Sequence, residues 1–385
     1  MKTNRQQLFF SLVVILISLR AVAADNSQVV ESFDHNIRVI TVTENLDRPW
    51  AMAMLPDGDI LLTEQPGRLR MVRDGRLLPQ AVSGTPEVSG RLHSGYMDIA
   101  LHPDFASNQL IYLSHSKIND KGSTVAVTRG RLEGMGLVDS EEIFEAFAWD
   151  ARELNYGSRL AFDEDGYLYV SIGDRGPDGE PKAQDLGYHH GKIVRLHDDG
   201  SIPDDNPFRN VDGALPEIYS YGHRNPQGMM LNPLTGEIWA SEHGPRGGDE
   251  VNIIKAGANY GWPIVSFGRA YTDEAITDNP MMVGMEAPRW FWVPSIGISD
   301  IIYYDGAAFP QWQNKLFVTG MSGMMLQSVV LEGRASRERE LLLTSLRLQY
   351  RDVDVDEAGN IYLVVRQNAQ ASENTGMLLR LEPAN

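Results

Sequence analysis

Three short segments of the chain combine charged, amide and imidazole side chains with glycine and proline in a pattern typical of ligand-binding loops. They span residues 221–228 (YGHRNPQG), 241–250 (SEHGPRGGDE) and 258–263 (ANYGWP). The first places two donor-rich side chains before a Pro and a Gly. In the second, glycines let backbone carbonyl groups approach a ligand closely, and carboxylates are the hard oxygen donors that suit Ca²⁺. The segments therefore indicate a loop-built site with a candidate position for a metal ion.

These segments lie among short repeats, each with a turn rich in Pro, Asp, Gly or Asn followed by a run of aliphatic and aromatic residues. The six runs begin at Ile60, Ile111, Leu168, Ile238, Leu316 and Ile361. A turn followed by such a run is typical of a β-hairpin. Six hairpins with almost no helical periodicity predict an all-β chain, namely a six-bladed β-propeller of four-stranded antiparallel blades. A β-sandwich is the alternative fold.

Two further features concern how the ring closes and where its loops lie. Residues 36–42 and 376–382 alternate with the period of two that strands show. We expect them to share one blade, which leaves few strand edges open. The spacing between repeats grows to about 70 and 78 residues on either side of Trp239, so the longest loops should lie within 175–230 and 243–310. Loops at one mouth of the central channel are the expected place for function.

The N-terminal segment has the features of an export signal. Basic residues precede a mainly apolar run at 8–19, and residues 21–23 (Ala-Val-Ala) fit a cleavage site. This run is too short to cross a bilayer, which needs about 20 residues. We therefore assign 1–23 to a signal peptide and 24–385 to a single propeller domain, periplasmic or secreted. A membrane anchor is the alternative.

The composition is acidic and free of cysteine. Loss of residues 1–23 removes three positive charges and no acid, which takes the net charge from −18 to −21. Such a surface repels nucleic acid and anionic lipid, and it suits a neutral substrate and divalent cations. No disulfide is available, but a chain of this length can build a core without one. No later apolar run is long enough to predict a membrane span.

Seven motifs give the chain a specific resemblance. They are HPDF (102–105), GKIVRL (191–196), GSIPDDNPF (200–208), GHRNPQG (222–228), EHGPRGGDEVN (242–252), NYGWP (259–263) and YRDV (350–353). In this order they resemble the soluble dehydrogenases of glucose and other aldoses that depend on pyrroloquinoline quinone (PQQ). The similarity runs from about Trp50 to Pro383. It supports the propeller fold and common ancestry, although fold alone does not fix function.

The resemblance implies a cofactor site over the central channel. In that family Ca²⁺ polarises the quinone of PQQ, and a histidine takes the proton from the sugar C1 hydroxyl while hydride moves to the quinone. The implied cofactor contacts are Gln184, Arg224, Asn225 and Arg351. Of these, Arg224 and Asn225 would lie against the quinone oxygens. The implied Ca²⁺ contacts are the carbonyls of Gly244 and Pro245 and, for a second, structural ion, Asp249, Glu250 and Tyr260. The alternatives without a ligand are a surface arginine at Arg224, a solvated acidic turn at Asp249 and Glu250, and a packed aromatic at Tyr260.

Four positions depart from the family pattern. Asn155 occupies the place of the catalytic histidine, and His93 occupies that of a glutamine. Ser322 and Gln349 stand where a lysine and an arginine contact the cofactor. Asparagine cannot accept a proton at neutral pH, and loss of a positioned base typically costs ~10²–10⁴ in rate. Loss of two cationic partners would weaken cofactor binding by roughly 10²–10⁴.

Three explanations of these departures are open. The alignment could be shifted in these loops, or the chain could have kept the fold and lost the cofactor. Alternatively the site is rebuilt, with His93 as the base in place of Asn155. His93 as an ordinary loop histidine is the plain reading of that position.

The sequence therefore predicts an exported oxidoreductase, dependent on PQQ and Ca²⁺, that oxidises an aldose or a related polyhydroxy alcohol. Its altered active site would comprise His93, Asn155 and Arg224. The expected partners are a small sugar and an external electron acceptor, and the chain is expected to be a monomer or a homodimer. One alternative is a non-catalytic carbohydrate- or protein-binding propeller derived from the same family, which the substitutions favour. The other is a calcium-dependent lactonase-type hydrolase, for which the sequence lacks a convergent set of acids and asparagine.

Overall fold

A computed structural model describes residues 27–88, 90, 93–332, 335–367 and 374–384 of the chain. The predicted signal peptide at 1–23 lies outside the described residues. Within them the strands form six antiparallel sheets in a ring, which confirms the predicted six-bladed β-propeller. No helix in these ranges is long and apolar enough to cross a membrane.

The chain enters the ring with two strands that belong to the last blade, β1 (Ser27–Glu31) and β2 (Asn36–Leu46). Blade 1 follows with β3 (Pro49–Met54), β4 (Ile60–Glu64), β5 (Arg68–Arg73) and β6 (Arg76–Leu77). Blade 2 contains β7 (Tyr96–Leu101), the short helix α1 (Phe105–Asn108), β8 (Leu110–Asn119), β9 (Gly122–Glu133) and β10 (Gly136–Glu145). Blade 3 contains β11 (Gly157–Phe162), β12 (Leu168–Ile172), a 3₁₀ turn (Glu180–Gln184), β13 (Lys192–Leu196) and β14 (Ile218–Tyr221).

The second half of the ring has the same plan. Blade 4 contains β15 (Pro226–Leu231), β16 (Ile238–Glu242), β17 (Asp249–Ile253) and β18 (Trp290–Trp292). Blade 5 contains β19 (Ile298–Tyr304), a 3₁₀ turn (Pro310–Trp312), β20 (Lys315–Gly320), β21 (Met325–Glu332) and β22 (Ala335–Leu342). Blade 6 contains a 3₁₀ turn (Thr344–Leu346), β23 (Gln349–Val355), β24 (Ile361–Arg366), β25 (Gly376–Pro383) and then β2 and β1.

The six repeated runs are the second strands of the six blades: β4, β8, β12, β16, β20 and β24. Their apolar side chains, such as Leu61, Tyr112 and Val170, are fully buried. β2 pairs with β25, with Val39 opposite Leu381, so the two chain ends share blade 6 as predicted. The longest stretches without a named strand include 197–217 and 254–289, which lie inside the two predicted loop regions.

A hydroxyl side chain that follows the run ties neighbouring blades together in three of the repeats. In five of the six repeats the next residue is a serine or threonine: Thr63, Ser114, Ser171, Ser241 and Thr319. The first three donate to a backbone carbonyl on the innermost strand of the following blade, at 2.6, 2.6 and 2.9 Å. These bonds fix the angle between blades and therefore the positions of the loops at the channel mouth.

The central channel is lined by the innermost strands and contains one arginine shared by three acids. The guanidinium of Arg159 (β11) lies 3.0 Å from Asp98 (β7) and 2.6 Å from Asp352 (β23). It also lies 3.4 Å from Asp300 (β19). All four residues are buried. A single positive charge thus links strands from four of the six blades directly beneath the mouth.

Candidate functional site

Arg224 stands at the point where the three predicted segments meet. Its guanidinium donates to the carbonyls of His243 and Gly244, both at 3.1 Å. It also lies 5.3 Å from the ring of Trp262 and 3.4 Å from the hydroxyl of Tyr271. Tyr271 itself is 71% exposed. The structure therefore brings residues 222–228, 242–252 and 259–263 together around one cation.

Close backbone approach holds these loops together and explains two of their glycines. Gly222 has φ +76°, and a Cβ there would lie 2.2 Å from Oδ1 of Asn259. At Gly244 a Cβ would lie 2.2 Å from a backbone oxygen. The amide of Gln184 exchanges two hydrogen bonds with Asn259, at 3.0 and 2.8 Å, and donates to the carbonyl of Trp262 at 2.7 Å. Gln184 therefore fixes the third segment against the 3₁₀ turn of blade 3.

A buried relay orients the backbone of Arg224. The hydroxyl of Ser220 bonds Nε2 of His223 at 2.8 Å, and Nδ1 of His223 bonds Glu242 at 3.0 Å. The other carboxylate oxygen of Glu242 accepts the Arg224 backbone N–H at 2.7 Å. Ser220 and His223 are completely buried. The Ser–His–Glu arrangement thus positions the backbone of Arg224. The hydroxyl of Ser220 is buried and is not accessible to a substrate.

Asn155, at the place of the family's catalytic histidine, faces a buried carboxylate. Its side-chain amide donates to Asp174 at 2.8 Å, and Asp174 also accepts the indole N–H of Trp262 at 2.8 Å. Burial raises the pKa of Asp174 to about 6, and the charge of Arg224 opposes that rise. Asn225 contacts the same region, because its Oδ1 accepts the backbone N–H of Gly157 at 3.0 Å.

Arg175 holds the turn that carries Asn155, and the sequence analysis did not identify it. The Arg175 guanidinium is fully buried and donates to the carbonyls of Arg152 and Leu154. It also lies 3.5 Å from the ring centre of Tyr156. Asn155 has φ +44°, a left-handed conformation that costs energy in a residue other than glycine. The arginine contacts on both sides of Asn155 hold it there.

A second arginine lies on the blade 6 side of the mouth, linked to the second segment through a glutamine. Arg351 donates to Oε1 of Gln227 at 2.7 Å, and Nε2 of His243 donates to the same oxygen at 3.1 Å. The Arg351 guanidinium also stacks over Trp50 at 4.0 Å. Burial, together with Arg224 and Arg351, lowers the pKa of His243 to about 4. His243 is therefore neutral across the physiological range.

Arg366 brings a third positive charge to this mouth. Among the described residues, neither Arg224, Arg351 nor Arg366 forms an ion pair, and the Nε atom of each is buried without a hydrogen-bond partner. Burial and then the charge of Arg48 lower the pKa of Arg366 to about 10. Burial and the charges of Arg366 and Arg159 lower that of Arg351 well below its ordinary value. The mouth is a cationic cradle whose three arginines form no direct ion pair within the described part of the chain.

His93 lies at the edge of this cradle. Its imidazole is exposed, yet partial desolvation and then the charges of Arg351 and Arg366 lower its pKa. The neighbouring Ser94 donates to Glu153 at 3.1 Å, so the loop of His93 contacts the loop that carries Asn155. The structure thus places the loop of His93 in contact with the loop of Asn155.

The predicted Ca²⁺ contacts differ in how their oxygens are used. Asp249 accepts the backbone N–H groups of Gly244, Ile296 and Ile298 at 2.9–3.0 Å, which fixes the loop. The Tyr260 hydroxyl faces the carbonyl of Ile253 at 2.5 Å. No contact of the Pro245 carbonyl is seen in the described part of the chain.

Glu250 is different, since it stands directly opposite Glu242 on the paired strands β16 and β17. Glu242 is buried and Glu250 is partly buried, and Asn252 bridges their carboxylates at 2.9 and 3.3 Å. Burial, and then the charge of Glu242, raise the pKa of Glu250 well above its ordinary value. Two adjacent carboxylates with one neutral bridge form a place where a cation would lower the energy. Within the described ranges no three His, Cys, Asp or Glu residues form a cluster that could hold a metal ion.

Ser322 and Gln349 complete the predicted positions. Ser322 is exposed on the loop between β20 and β21. Gln349 is buried at the start of β23, and its Oε1 has no hydrogen-bond partner among the described atoms. Gln227 and His243 lie inside the motifs that carried the resemblance but were not singled out. Arg366 lies in no motif, and nothing in the linear sequence marks it.

The fold and this loop-built cationic mouth define a class of protein, a six-bladed propeller of the sugar dehydrogenase type. The family model described as glucose/sorbosone dehydrogenase matches residues 46–380, so the chain belongs to that family. It is 38% identical over 355 residues to the aldose sugar dehydrogenase YliI of Escherichia coli, a match that covers 91% of this chain and 94% of the relative.

Solved structures agree with this assignment. The apo-form of the soluble aldose sugar dehydrogenase from Escherichia coli matches with a TM-score of 0.85 at 37% identity, covering 90% of this chain and all of that one. The PQQ-bound form of aldose sugar dehydrogenase from Streptomyces coelicolor matches with a TM-score of 0.72 at 27% identity, covering 90% and 98%. The blades and their order are therefore common to this chain and to sugar dehydrogenases.

Proposed function

We propose that the chain is a PQQ-dependent dehydrogenase that oxidises an aldose or a related polyhydroxy alcohol and passes the electrons to an external acceptor. One observation carries the proposal. Arg224, Arg351 and Arg366 lie at one mouth, and among the described residues none of them forms an ion pair and each has an Nε atom buried without a hydrogen-bond partner. Buried guanidinium groups are costly without an anion, and planar carboxylates match them in two-pronged hydrogen bonds. A tricarboxylate quinone supplies such anions.

The residues of the mouth fit this cofactor and divide the chemistry among themselves. When bound, PQQ supplies a quinone that accepts a hydride from the substrate carbon. Arg224 and Asn225 donate hydrogen bonds where negative charge develops on oxygen. His93 takes the proton of the substrate hydroxyl, because a neutral imidazole can accept a proton near neutral pH. Asn155 holds the carboxylate of Asp174 and cannot itself accept a proton.

The two implied Ca²⁺ positions differ in fit. At Gly244 the carbonyl already accepts a hydrogen bond from Arg224, and the nearby acid Asp249 is bonded by three backbone N–H groups. The residues present at Gly244 therefore fit a Ca²⁺ ion poorly. At the second position the Glu250 carboxylate accepts, among the described residues, only a long hydrogen bond from Asn252 at 3.3 Å, which leaves it available to a hard cation. We propose that Glu250, with Glu242 beside it, holds a structural Ca²⁺.

Titration with PQQ tests the proposed function. Apo-protein is titrated with PQQ and followed by cofactor absorbance, and dye reduction is then measured with a panel of aldoses. Saturable binding and sugar-dependent dye reduction are expected. Binding without turnover would favour the non-catalytic propeller. That alternative is supported by Asn155, which occupies the position of the catalytic histidine. Hydrolysis of lactones without dye reduction would favour the hydrolase instead, and absence of PQQ binding would refute the dehydrogenase.

Replacement of Arg224 by alanine is expected to lower turnover by ~10²-fold or more, because it removes stabilisation of charge on the reduced quinone. The measurement is steady-state dye reduction at saturating PQQ. The control is Arg209→Ala, which removes a partly exposed arginine that pairs with Asp204 at 2.9 Å. An Arg224→Ala variant with the turnover of Arg209→Ala would exclude the assigned role of Arg224.

Calcium is expected to stabilise the fold through Glu250. A ligand that binds only the folded state adds ~2.7 kcal/mol at one hundred times its Kd, so excess EDTA should lower the Tm. Glu250→Gln should abolish the difference between Ca²⁺ and EDTA, whereas the exposed Glu237→Gln in the same blade should keep it. Equal melting curves of the wild type in Ca²⁺ and in EDTA, with metal content measured in both, would remove the claim.

Export to the periplasm or the medium is a further part of the proposal. It rests on residues 1–23, where a basic start, an apolar run and Ala-Val-Ala follow one another. The acidic net charge of −18 suits a neutral sugar and disfavours nucleic acid and anionic membranes. A monomer or a homodimer is compatible with the ring.

A further inference from the structure

Arg366 occupies a specific place relative to one of the departures from the family pattern. It is the last residue of β24 and stands directly opposite Gln349 on β23. Side chains of directly opposed residues in an antiparallel pair project from the same face, with Cβ atoms about 4.5–5.5 Å apart. Gln349 is the position at which the resembling dehydrogenases carry an arginine. A cation is therefore present beside that position, but on the neighbouring strand.

No described neighbour of Arg366 forms an ion pair with its guanidinium. Among the described residues its one hydrogen bond to a side chain joins Nη1 to Oε1 of Gln65 at the long distance of 3.4 Å. Its Nε atom is buried without a partner. The charge of Arg48 acts on Arg366, and the charge of Arg366 acts on Arg351, where Asp352 and Asp300 oppose it, so like charges are held together. A structural arginine would normally face a carboxylate or several carbonyls, as Arg175 does.

The same charge reaches the other residues of the mouth. After partial desolvation, the charges of Arg351 and Arg366 both lower the pKa of His93, so the three residues lie in one region of the mouth. Gln349 adds a buried amide oxygen without a hydrogen-bond partner in the described part of the chain. Unpaired cations beside an unpaired amide are arranged to receive a planar carboxylate.

We infer that Arg366 binds a carboxylate of PQQ and takes over the role of the cation that Gln349 lacks, which preserves cofactor binding in this chain. The inference rests on the proposed function. It predicts that the charge can be moved between the two strands, because what the ligand requires is one guanidinium on this face of the β23–β24 pair.

Equilibrium titration with PQQ in the absence of sugar tests the inference. Arg366→Gln is expected to weaken PQQ binding by about 10- to 100-fold, the range for a lost hydrogen bond between charged groups. Arg366→Gln combined with Gln349→Arg should regain most of the affinity. Arg380→Gln is the matched control, since this arginine lies in the same blade but pairs with Glu382 and should bind PQQ like the wild type.

The melting temperature without PQQ gives a second and opposite readout. Because Arg366 repels Arg351 and lacks a counter-ion, Arg366→Gln should melt at or above the wild-type temperature. A purely structural arginine would instead give a lower Tm and an unchanged Kd, which would overturn the inference. Arg366→Lys, which keeps a charge, should bind PQQ more tightly than Arg366→Gln, and it serves if the glutamine variant does not fold.

The remaining outcomes separate this inference from the proposed function. If the wild type binds PQQ and Arg366→Gln binds it equally well, the role of Arg366 is refuted while the dehydrogenase proposal stands. If the single variant is weak and the double variant equally weak, the exchange between strands is refuted. If the wild type does not bind PQQ at all, the proposed function fails and the inference fails with it. Inorganic phosphate at the same concentration should not compete with PQQ. Competition by phosphate would indicate a generic anion site and would contradict the inference.

Discussion

His93→Ala is expected to reduce sugar-dependent dye reduction by ~10²–10⁴-fold, the typical contribution of a positioned general base. His93 lies on the loop that contacts the Asn155 loop through Ser94 and Glu153. Partial desolvation and then the charges of Arg351 and Arg366 lower its pKa. A lowered pKa keeps the imidazole neutral, and therefore able to accept a proton, to pH values below its ordinary 6.5.

The pH profile distinguishes a base from a residue that only shapes the loop. Turnover of the wild type should be constant near neutral pH and should fall as the pH drops through a pKa below 6.5, because protonation removes the base. The residual activity of His93→Ala should lack this acidic limb. His197→Ala is the control, since it removes a histidine whose ring packs at a tilt against Tyr167 with the ring centres 5.2 Å apart. Unchanged turnover in His93→Ala would end the base assignment while leaving the dehydrogenase proposal intact.

Asn155→His provides the complementary change. The Asn155 amide donates to Asp174 at 2.8 Å, so a histidine there would meet a carboxylate that stabilises its protonated form. We expect this variant to turn over faster than the wild type and to depend less on His93. If wild type and Asn155→His are both inactive, Ser322→Lys and Gln349→Arg are added, and a triple variant that does not bind PQQ would favour the non-catalytic propeller.

The sequence predicted the blades well because hairpins are local. The turn before Ile60 or Leu168 lies next to the strand that it starts, so turn residues and apolar periodicity mark each second strand without knowledge of the rest of the chain. The pairing of β2 with β25 could be predicted too, since both segments alternate and a closed ring needs a partner for each. The hydroxyl after five of the six runs was present in the sequence, but the bond that it makes depends on the neighbouring blade.

The candidate site could be predicted only where its residues lie together in the chain. Arg224 and Gly244 belong to motifs with concentrated Gly, Pro and charged residues, and the structure places them in contact. Arg366 ends a strand in no motif, and it became visible only through its register with Gln349. Arg175 follows a buried strand and binds carbonyls about 20 residues away. Such contacts depend on tertiary packing, which a single sequence does not specify.

The ion pairs of Arg159 in the central channel are the clearest case of long-range contacts. Their removal is expected to have the largest effect on stability. Arg159→Met should lower the free energy of unfolding by ~3–5 kcal/mol, as expected when one partner of a buried ion pair is removed and the other charges stay. The three carboxylates of Asp98, Asp300 and Asp352 would then share a buried channel without a cation. Urea denaturation at pH 7.5, with m-values compared, gives the measurement.

The dependence of this loss on pH identifies its cause. Burial raises the pKa of Asp98 to about 6, and Arg159 opposes that rise. Removal of Arg159 therefore raises the pKa further, and the folded variant binds more protons than the unfolded chain at mildly acidic pH. Stability of the variant should thus increase as the pH falls through that raised pKa, because protonation removes the repulsion. The difference from wild type should be smaller at pH 5 than at pH 7.5.

Two further variants separate the buried charge from ion pairing in general. Lys117→Met removes an exposed lysine that bonds Glu142 and Glu145, both at 2.6 Å, and should cost at most ~1 kcal/mol. Asp352→Asn in the Arg159→Met background should restore part of the lost stability, since it removes one uncompensated carboxylate. A loss equal at both pH values, and not relieved by Asp352→Asn, would mean that Arg159 acts by packing over Trp50, 4.6 Å away, and not by its charge.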